Sequence, residues 1–301
     1  MGYVFKNSFG SMGSDPGQFS VPFGICSDIF DNIFVADANN NRIQKFDASG
    51  NFLMSFGSAG DPNEPGHFWQ PYGVAVSSTG DIYVCDQGHS RICKYNSSGT
   101  ELFCWGGFGT GDYNFRAPWG IAIDHENCVF VADMNNHCIK KYSPRGEHMF
   151  TFGAEGSTDP NFLAPCAVAV DKTGIYVADS VRSRLQKFSL SGNYKFGWGR
   201  PGHGDSEFLD LAGLGVDQQG NIFATDWQLL VKLFAIDGSY MSGLGSLGSG
   251  EGQFSRCNAI CKTTAGLLYV VDRGNNRIQI WESDGTPKIE SLWSLQIGPV
   301  S

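Results

Sequence analysis

Six aspartates recur at nearly equal intervals, and carboxylates repeated in this way could form a ring of ligands for a hard metal ion. They are Asp37, Asp86, Asp133, Asp179, Asp226 and Asp272. In four of the six repeats an arginine follows five residues later, at Arg42, Arg91, Arg184 and Arg277. A residue present once per repeat is expected to serve the structure of each repeat. We therefore predict that these carboxylates cap turns and pair with the arginines, and we predict no metal and no cofactor.

Histidine and cysteine are the other candidates for chemistry. His89 and His137 lie in neighbouring repeats, but two imidazoles would need a third ligand to hold zinc. A metal-free reaction could use Cys166 as the nucleophile, with His137 or Asp133 exchanging protons. Tyr72 is a further candidate proton donor. A lone cysteine is more often inert unless a partner lowers its pKa, so an enzyme of lyase, hydrolase or cyclase type stays open only as an alternative.

The aspartates belong to a repeated unit of 46 to 49 residues. Its copies open at Phe19, Phe68, Phe115, Phe162, Phe208 and Phe254. A period of this length is typical of propellers and solenoids. Each copy contains four short runs with alternating apolar residues, separated by Gly, Asn, Asp and Ser, and none has helical periodicity. The sequence therefore predicts an all-β fold, a six-bladed β-propeller of four-stranded antiparallel blades.

The N-terminal segment indicates how the ring closes. Residues 4–9 resemble the fourth strand of the first repeat, yet no blade precedes them. We expect them to pair with the strand around residues 278–281 and to complete the last blade, which removes an exposed edge. This assigns residues 1–285 to a single propeller. Residues 286–301 are left as a C-terminal tail that either packs on the rim or frays.

Three motifs recur along the repeats: the Pro-x-Gly opening, as in Pro22-Phe23-Gly24, the Val-x-Asp centre followed by Arg-Ile-Gln-Lys-Phe, and the closing Phe-Gly. These motifs resemble those of the NHL-repeat family. The resemblance covers almost the whole chain and implies an NHL β-propeller. It implies no single function, because NHL propellers serve as RNA-binding surfaces, as protein-interaction platforms and, in relatives, as enzymes. The amidating lyase relatives carry a zinc-binding histidine at the x position, where this chain has none.

Function is sought where the repeats differ, and the x of Pro-x-Gly varies most. It reads Phe23, Tyr72, Trp119, Cys166, Ala212 and Asn258 around the ring. By the resemblance, this position opens the innermost strand at one mouth of the central channel, an end that we call the top face. The three aromatic rings either form one wall of a cup, suited to stacking or cation–π contact, or plug the channel.

The loops between the second and third strands should lie on the same face. In the fifth repeat this loop contains Trp227, Leu229 and Leu230, where the other repeats are mostly polar. Exposed apolar residues of this kind would mark a contact site. His137 and Arg182 would lie on the rim.

We interpret the chain as a non-catalytic binding module for a protein, a peptide or a small ligand on the top face. The predicted ligand-binding residues are Phe23, Tyr72, Trp119, Cys166, Asn258, Trp227 and Arg182. The formal net charge is −9, and the variable loops show no basic cluster beyond Arg182 and Arg184, which disfavours nucleic acid. Single-stranded RNA held by stacking is a weaker alternative. No apolar run approaches the length of a membrane helix, so no membrane partner is expected.

The nine cysteines are an odd set without a Cys-x-x-Cys pair. This favours reduced, mostly buried thiols over a disulfide framework. Cys26 and Cys261 hold equivalent positions in the first and last repeats, so a disulfide between them is conceivable. The sequence shows no charged leader with an apolar core, and we expect a soluble cytoplasmic protein.

Overall fold

The computed structural model describes residues 2–227 and 230–285, and in it the repeats form six antiparallel four-stranded sheets arranged in a ring. Strand β1 spans Tyr3–Phe9. The first blade contains β2 (Pro22–Ser27), β3 (Ile33–Asp37), β4 (Arg42–Phe46) and β5 (Phe52–Phe56). The second contains β6 (Pro71–Val76), β7 (Ile82–Asp86), β8 (Arg91–Tyr95) and β9 (Glu101–Gly106). The third contains β10 (Pro118–Ile123), β11 (Val129–Asp133), β12 (Cys138–Tyr142) and β13 (His148–Phe152).

The second half of the ring follows the same plan. The fourth blade contains β14 (Pro165–Asp171), β15 (Gly174–Asp179), β16 (Arg184–Phe188) and β17 (Tyr194–Trp198). A short parallel pair, β18 (Arg200–Pro201) and β19 (Glu207–Phe208), leads to the fifth blade. That blade contains β20 (Leu211–Val216), β21 (Ile222–Asp226), β22 (Leu230–Phe234) and β23 (Tyr240–Leu244). A second parallel pair, β24 (Ser246–Leu247) and β25 (Gln253–Phe254), precedes β26 (Cys257–Lys262), β27 (Leu268–Asp272) and β28 (Arg277–Ser283).

The predicted six-bladed all-β propeller is therefore confirmed. Short 3-10 turns follow the second strand in three blades, at Ala38–Asn40, Met134–Asn136 and Arg273–Asn275. The second strands, such as β3, are buried along their whole length, while outer strands such as β13 alternate between half-buried and exposed residues. This difference follows from their positions, because an inner strand is covered on both faces by neighbouring blades.

The apolar cores lie between blades. One cluster joins Phe34 and Ile43 of the first blade to Phe68, Val74 and Val84 of the second, all nearly inaccessible to solvent. Each blade therefore buries its faces only against its neighbours, as expected of a repeat architecture. The ring needs all of its blades to complete these contacts.

Strand β1 closes the ring as predicted. It pairs antiparallel with β28, from Tyr3 opposite Ser283 to Phe9 opposite Ile278. The last blade thus contains strands from both ends of the described chain, in the order β1-β28-β27-β26. Pairing of β1 covers the outer edge of β28 and fastens the first segment of the chain to the last blade.

The repeated aspartates pair with the arginines as predicted, but the predicted turn capping was wrong at the three 3-10 turns, where Asp37, Asp133 and Asp272 make no side-chain capping bond. Nε of Arg42 donates to Asp37 at 2.8 Å, and the equivalent bonds from Arg91 to Asp86 and from Arg277 to Asp272 have the same length. In the fourth blade Arg184 lies 3.6 Å from Asp179. In the third blade, where no arginine follows, Lys140 lies 3.0 Å from Asp133. All of these carboxylates are buried, so they fasten the turns from inside.

The third residue of the innermost strand is glycine where neighbouring strands pack most closely, as at Gly24 and Gly213, whereas Ala167 and Ala259 hold the equivalent position in the fourth and sixth blades. A Cβ atom added to Gly24 would lie 2.2 Å from the backbone oxygen of Tyr72 in the next blade. At Gly213 it would lie 2.2 Å from the backbone oxygen of Asn258. Neighbouring innermost strands approach too closely at these points for any larger residue.

The cysteine prediction was wrong for one pair. Cys93 of β8 and Cys104 of β9 face each other in the strand register and form a disulfide. The remaining seven cysteines are thiols, including Cys26 and Cys261. The number and spacing of the cysteines do not reveal the hairpin register. That register brings Cys93 and Cys104 together, although neither belongs to a recognisable motif.

Two predictions fall on residues that the structure does not describe. They concern the tail at residues 286–301 and the side chain of Leu229 in the fifth blade. Within the described ranges no helix has the length and apolar character needed to cross a bilayer.

Candidate functional site at the channel mouth

The Pro-x-Gly residues and the loops after the second strands meet at the top face. Pro22 at the start of β2 pairs with Asp37 at the end of β3, and the same register recurs in the other blades. The innermost strand therefore begins beside the loop that follows the second strand. Variable residues of both kinds are brought to one end of the channel.

Three aromatic rings cover one side of this mouth. The rings of Phe23 and Tyr72 stack with centroids 3.8 Å apart and an angle of 4° between their planes. Trp119 stands edge-on to both, at 5.2 Å from Phe23 and 4.9 Å from Tyr72. Phe23 is only 3% exposed, and the other two are half-buried. The rings thus pack against one another rather than standing apart as a wall.

The mouth leads into a cavity of about 70 Å³ lined by the innermost strands. A water molecule occupies about 10–15 Å³ on this measure, so the cavity holds a few waters. Small-molecule sites usually measure about 300–1,000 Å³. The geometry therefore favours the plug that the sequence left open over the cup, and it leaves the outer surface of the mouth for recognition.

Asn258 and Trp227 continue the mouth on the opposite side. The indole Nε1 of Trp227 donates to Oδ1 of Asn258 at 3.0 Å, and Nδ2 of Asn258 donates to the backbone oxygen of Phe23 at 2.9 Å. Asn258 is 2% exposed. It therefore orients Trp227 from inside and ties the sixth blade to the first, while the half-buried indole faces the surface.

Two arginines complete the site, and sequence reasoning missed them as a pair. The guanidinium carbons of Arg256 and Arg273 lie 5.9 and 5.5 Å from the ring of Trp227. Arg273 also lies 5.1 Å from the ring of Phe23. The expectation of no basic cluster beyond Arg182 and Arg184 was therefore wrong. The repeat register held the signal, because in four of the six blades the residue after the aspartate donates its backbone N–H to the residue before the motif.

We call these residues the mouth cluster. Its members are Phe23, Tyr72, Trp119, Trp227, Arg256 and Arg273. The predicted Arg182 is exposed on the loop after β15, and among the described contacts it does not lie over the aromatic rings of the cluster as Arg256 and Arg273 do. Arg184 already forms an ion pair, with Nη1 2.6 Å from the carboxylate of Asp159. The positive charge of the site therefore comes from the sixth blade.

Cys166 lies at the channel but is held inside it. Its thiol lies 3.5 Å from the backbone oxygen of Ala178 and 3.4 Å from that of Leu211, and the residue is 3% exposed. Burial raises the pKa of Cys166 to about 12, with a smaller contribution from the charge of Asp179. A thiol in this position is a poor nucleophile near neutral pH.

We expect Cys166 to resist iodoacetamide in the native protein. At pH 8 a thiol with a pKa of about 12 carries a thiolate in roughly one molecule in ten thousand, because each pH unit below the pKa lowers that fraction tenfold. Peptide mass spectrometry after one hour should show little modification of Cys166, and full modification in guanidinium chloride. Rapid alkylation in the native state would revive the nucleophile hypothesis.

The other catalytic candidates also have structural partners. His137 has the left-handed backbone that Asn41 and Asn276 have at equivalent positions, with φ of 56°, 52° and 51°, and its Nδ1 lies 2.7 Å from the backbone oxygen of Leu163. Asp133 accepts bonds from the backbone N–H of Arg116 and from Asn136. Among the described contacts, no bond joins Cys166, His137 and Asp133 to one another.

His89, the second histidine considered for zinc, lies 2.8 Å from Asp86 through Nδ1. Its imidazole therefore supports the turn of its own blade. In the described part of the chain, the groups with metal-ligand spacing are Cys93 with Glu101 and Cys104, which includes the disulfide, and Asp124 with Glu126 and Cys128. Neither group lies at the channel mouth.

The structure also reveals a wider opening at the other end of the channel. A cavity of about 260 Å³ lies there among the second halves of the innermost strands, including Ser27, Val76 and Ile123 at their ends. Cys26 and Cys261 lie on its wall as thiols. Sequence reasoning concentrated on the Pro-x-Gly end and did not consider this one.

Sequence comparison supports the family assignment at two blades. The NHL repeat model matches residues 68–95 and 115–142, which correspond to the second and third blades. Protein brain tumor of Drosophila melanogaster is 42% identical over 57 residues, which make up 19% of this chain and 6% of that protein. Protein lin-41 of Caenorhabditis elegans is 48% identical over 46 residues, 15% of this chain and 4% of its own length. The matched part is thus a small fraction of these much longer relatives.

Solved structures share the fold at low sequence identity. A streptogramin B lyase superposes with a TM-score of 0.64 at 14% identity, covering 93% of this chain and 97% of the lyase. Virginiamycin B lyase from Staphylococcus aureus gives 0.61 at 12% identity with the same coverage. A Bacteroides thetaiotaomicron protein of unknown function gives 0.70 at 15%, covering 93% and 76%. At this identity the likeness establishes the propeller architecture alone.

Proposed function

We propose, from the premise that this chain is an NHL-repeat β-propeller, that it is a non-catalytic recognition module that binds a protein or peptide on its top face. The observation that carries the proposal is the mouth cluster. Tryptophan, tyrosine and arginine are the residues most enriched at energetic hot spots of protein interfaces. Here they converge at one mouth of a rigid ring, each on a different blade or loop.

The rigidity of the site supports recognition without large rearrangement. Asn258 fixes Trp227, and Trp119 packs edge-on to the stacked pair of Phe23 and Tyr72. Ordered side chains lose little conformational freedom when a partner binds, so more of the contact energy contributes to affinity. A partner would contact the half-buried rings from outside, as a flat patch.

A reaction at the mouth end of the channel is less compatible with this geometry. The cavity of about 70 Å³ is several times smaller than a usual substrate site. Cys166, His137 and Asp133 each bond to the backbone or side chains of the scaffold. Catalysis needs a nucleophile and a base within reach of one substrate atom, and these residues do not provide that arrangement.

Replacing Trp119 by alanine tests the proposal. Peptides selected from a random display library on the native protein serve as the probe, and fluorescence polarisation measures their affinity. We expect the Trp119→Ala variant to bind about 30-fold more weakly, which is the effect of a hot-spot residue worth 2 kcal/mol. Because Trp119 is half-buried at the surface, the variant should retain the native circular dichroism spectrum.

Phe30→Ala is the matched control. Phe30 is 78% exposed and lies in the turn between β2 and β3, at the opposite end from the Pro-x-Gly motifs. Its removal should leave peptide affinity unchanged. The proposal fails if the library yields no binding peptide, or if Phe30→Ala abolishes binding while Trp119→Ala does not.

A further inference from the structure

Arg256 and Arg273 are held side by side by the backbone. Arg256 directly precedes β26, and Arg273 opens the 3-10 turn that follows β27. The backbone N–H of Arg273 donates to the backbone oxygen of Arg256 at 3.0 Å. Both side chains therefore leave the same point of the sixth blade, although 17 residues separate them in the sequence.

The two guanidinium groups share one aromatic ring. Both lie within 6 Å of the Trp227 indole, and Arg273 also lies over Phe23. A cation over the face of an aromatic ring is attracted by the ring quadrupole and keeps its N–H groups available at the ring edge. The rings thus position the arginines without using their hydrogen-bond donors.

Neither arginine has a counter-ion in the described residues. Arg42, Arg91 and Arg277 pair with buried carboxylates, whereas Arg256 and Arg273 form no ion pair and donate no side-chain hydrogen bond there. Burial lowers the pKa of Arg273, Tyr72 opposes this effect, and the charge of Arg256 adds a smaller lowering. Two cations that repel each other at a partly desolvated site are unfavourable until an anion joins them.

A third donor lies close to the pair. Tyr72 is half-buried in the same cluster, and its hydroxyl makes no hydrogen bond within the described chain. Burial raises the pKa of Tyr72 while the charge of Arg273 opposes this effect, so the phenol stays protonated and able to donate. Asp210 lies within electrostatic range of Arg256: burial and the charge of Asp226 raise the pKa of Asp210, and the charge of Arg256 opposes them. The two residues make no ion pair in the described structure.

We propose that Arg256 and Arg273 together bind an anionic group of a peptide, a carboxylate or a phosphate, with an apolar residue beside it on Trp119. This inference rests on the proposed function, because it names the ligand chemistry of the same surface. Two guanidinium forks match the planar oxygens of a carboxylate and the oxygens of a phosphate. The Tyr72 hydroxyl supplies one further donor.

A peptide suits this surface better than a nucleic acid. The cations are concentrated at one point, while the chain carries a formal net charge of −9. Single-stranded nucleic acid needs a basic groove that follows several phosphates and open aromatic faces for its bases. Phe23 and Tyr72 already occupy each other's faces at 3.8 Å, so no base fits between them.

Substitutions that remove the charge, either on the protein or on the peptide, test the inference. The probe is the peptide from the library that binds most tightly. It is compared with three variants: one in which its glutamate or aspartate is replaced by the corresponding amide, one in which that residue is replaced by phosphoserine, and one with an amidated C-terminus. We expect Arg273→Gln and Arg256→Gln each to lower the affinity for the acidic peptide by about 10- to 100-fold, as for other hydrogen bonds to charged groups. Arg273→Lys should lose part of this affinity, because it keeps the charge and loses the fork.

The peptide series identifies which anion is bound. Loss of affinity on side-chain amidation indicates an acidic side chain, loss on C-terminal amidation indicates the chain end, and a gain with phosphoserine indicates phosphate. Each of these outcomes supports the inference. Affinity for the acidic peptide should also fall as salt rises.

Arg145→Gln is the matched control, since Arg145 is exposed in the turn between β12 and β13 at the opposite end. This substitution removes the same charge and should leave the peptide affinity unchanged. The inference is overturned if neither side-chain amidation nor C-terminal amidation weakens binding and phosphoserine does not strengthen it, or if the two arginine variants bind as well as the wild type. In those cases Trp119→Ala still tests the proposed function separately. Binding of an octauridylate with no peptide binding would overturn both proposals.

Discussion

Asp37→Ala is expected to lower the free energy of unfolding by about 3–5 kcal/mol, the usual cost of removing one partner from a buried ion pair. The carboxylate is fully buried. It accepts from the backbone N–H of Ser20, from Nε of Arg42 and from Nε2 of Gln44, at 2.7, 2.8 and 3.1 Å. Its loss removes the acceptor of the Ser20 N–H and of Nε of Arg42, while Nε2 of Gln44 keeps only its bond to the backbone oxygen of Gln18 at 2.7 Å. Urea denaturation followed by tryptophan fluorescence measures the effect.

The exposed pair of Lys6 and Glu282 is the matched control. Its length is 2.7 Å, close to that of the buried pair, but the two side chains are 46% and 44% exposed. Glu282→Ala should therefore change stability by less than about 1 kcal/mol. If Asp37→Ala were equally mild, the repeated carboxylates would not be structural, and the metal-ring hypothesis would return.

Deletion of residues 2–10 is expected to lower the free energy of unfolding by about 3 kcal/mol or more, because three half-buried aromatic side chains and one strand pairing are lost. Phe5 packs against Trp281 of the last blade, with ring centroids 6.0 Å apart. Phe9 contacts Phe46 of the first blade at 4.8 Å. Strand β1 therefore joins the two blades that meet at the closure. Truncation should also expose the edge of β28 and promote self-association, which size-exclusion chromatography detects.

A synthetic peptide of residues 2–10 provides the control for this deletion. Added to the truncated protein, it should occupy the vacant edge and raise the thermal midpoint with the logarithm of its concentration once that concentration exceeds the dissociation constant. The Val4→Ser change in the full chain should have little effect, because Val4 is 47% exposed. A truncated protein as stable as the full chain would show that β1 is dispensable for closure.

Most of the architecture was predictable because it depends on local periodicity. A period-2 apolar pattern specifies strands, the 46-to-49-residue repeat specifies blades, and the unmatched first strand specifies the closure. The Asp–Arg pairing was also accessible, because Asp37 and Arg42 lie opposite each other at the ends of one hairpin. These contacts could be predicted from the sequence because the residues that make them are close together along the chain.

The site was less accessible because it depends on how side chains from different blades meet. The rings of Phe23 and Tyr72 stack and nearly fill the mouth because of the distance between neighbouring blades. No single repeat encodes that distance. The disulfide of Cys93 and Cys104 depends on the register of one hairpin. Leu229, predicted for the same surface, lies outside the described residues.

The sequence alone determined that this protein is a ring of six blades with structural carboxylates and a variable top face, since each of these features repeats along the chain. Only the tertiary structure decided that the ring mouth is packed rather than open, and that Arg256 and Arg273 converge on Trp227. The reason is physical. Repetition reports what every blade needs, whereas a binding surface is formed by residues that differ between blades and meet only after the ring closes.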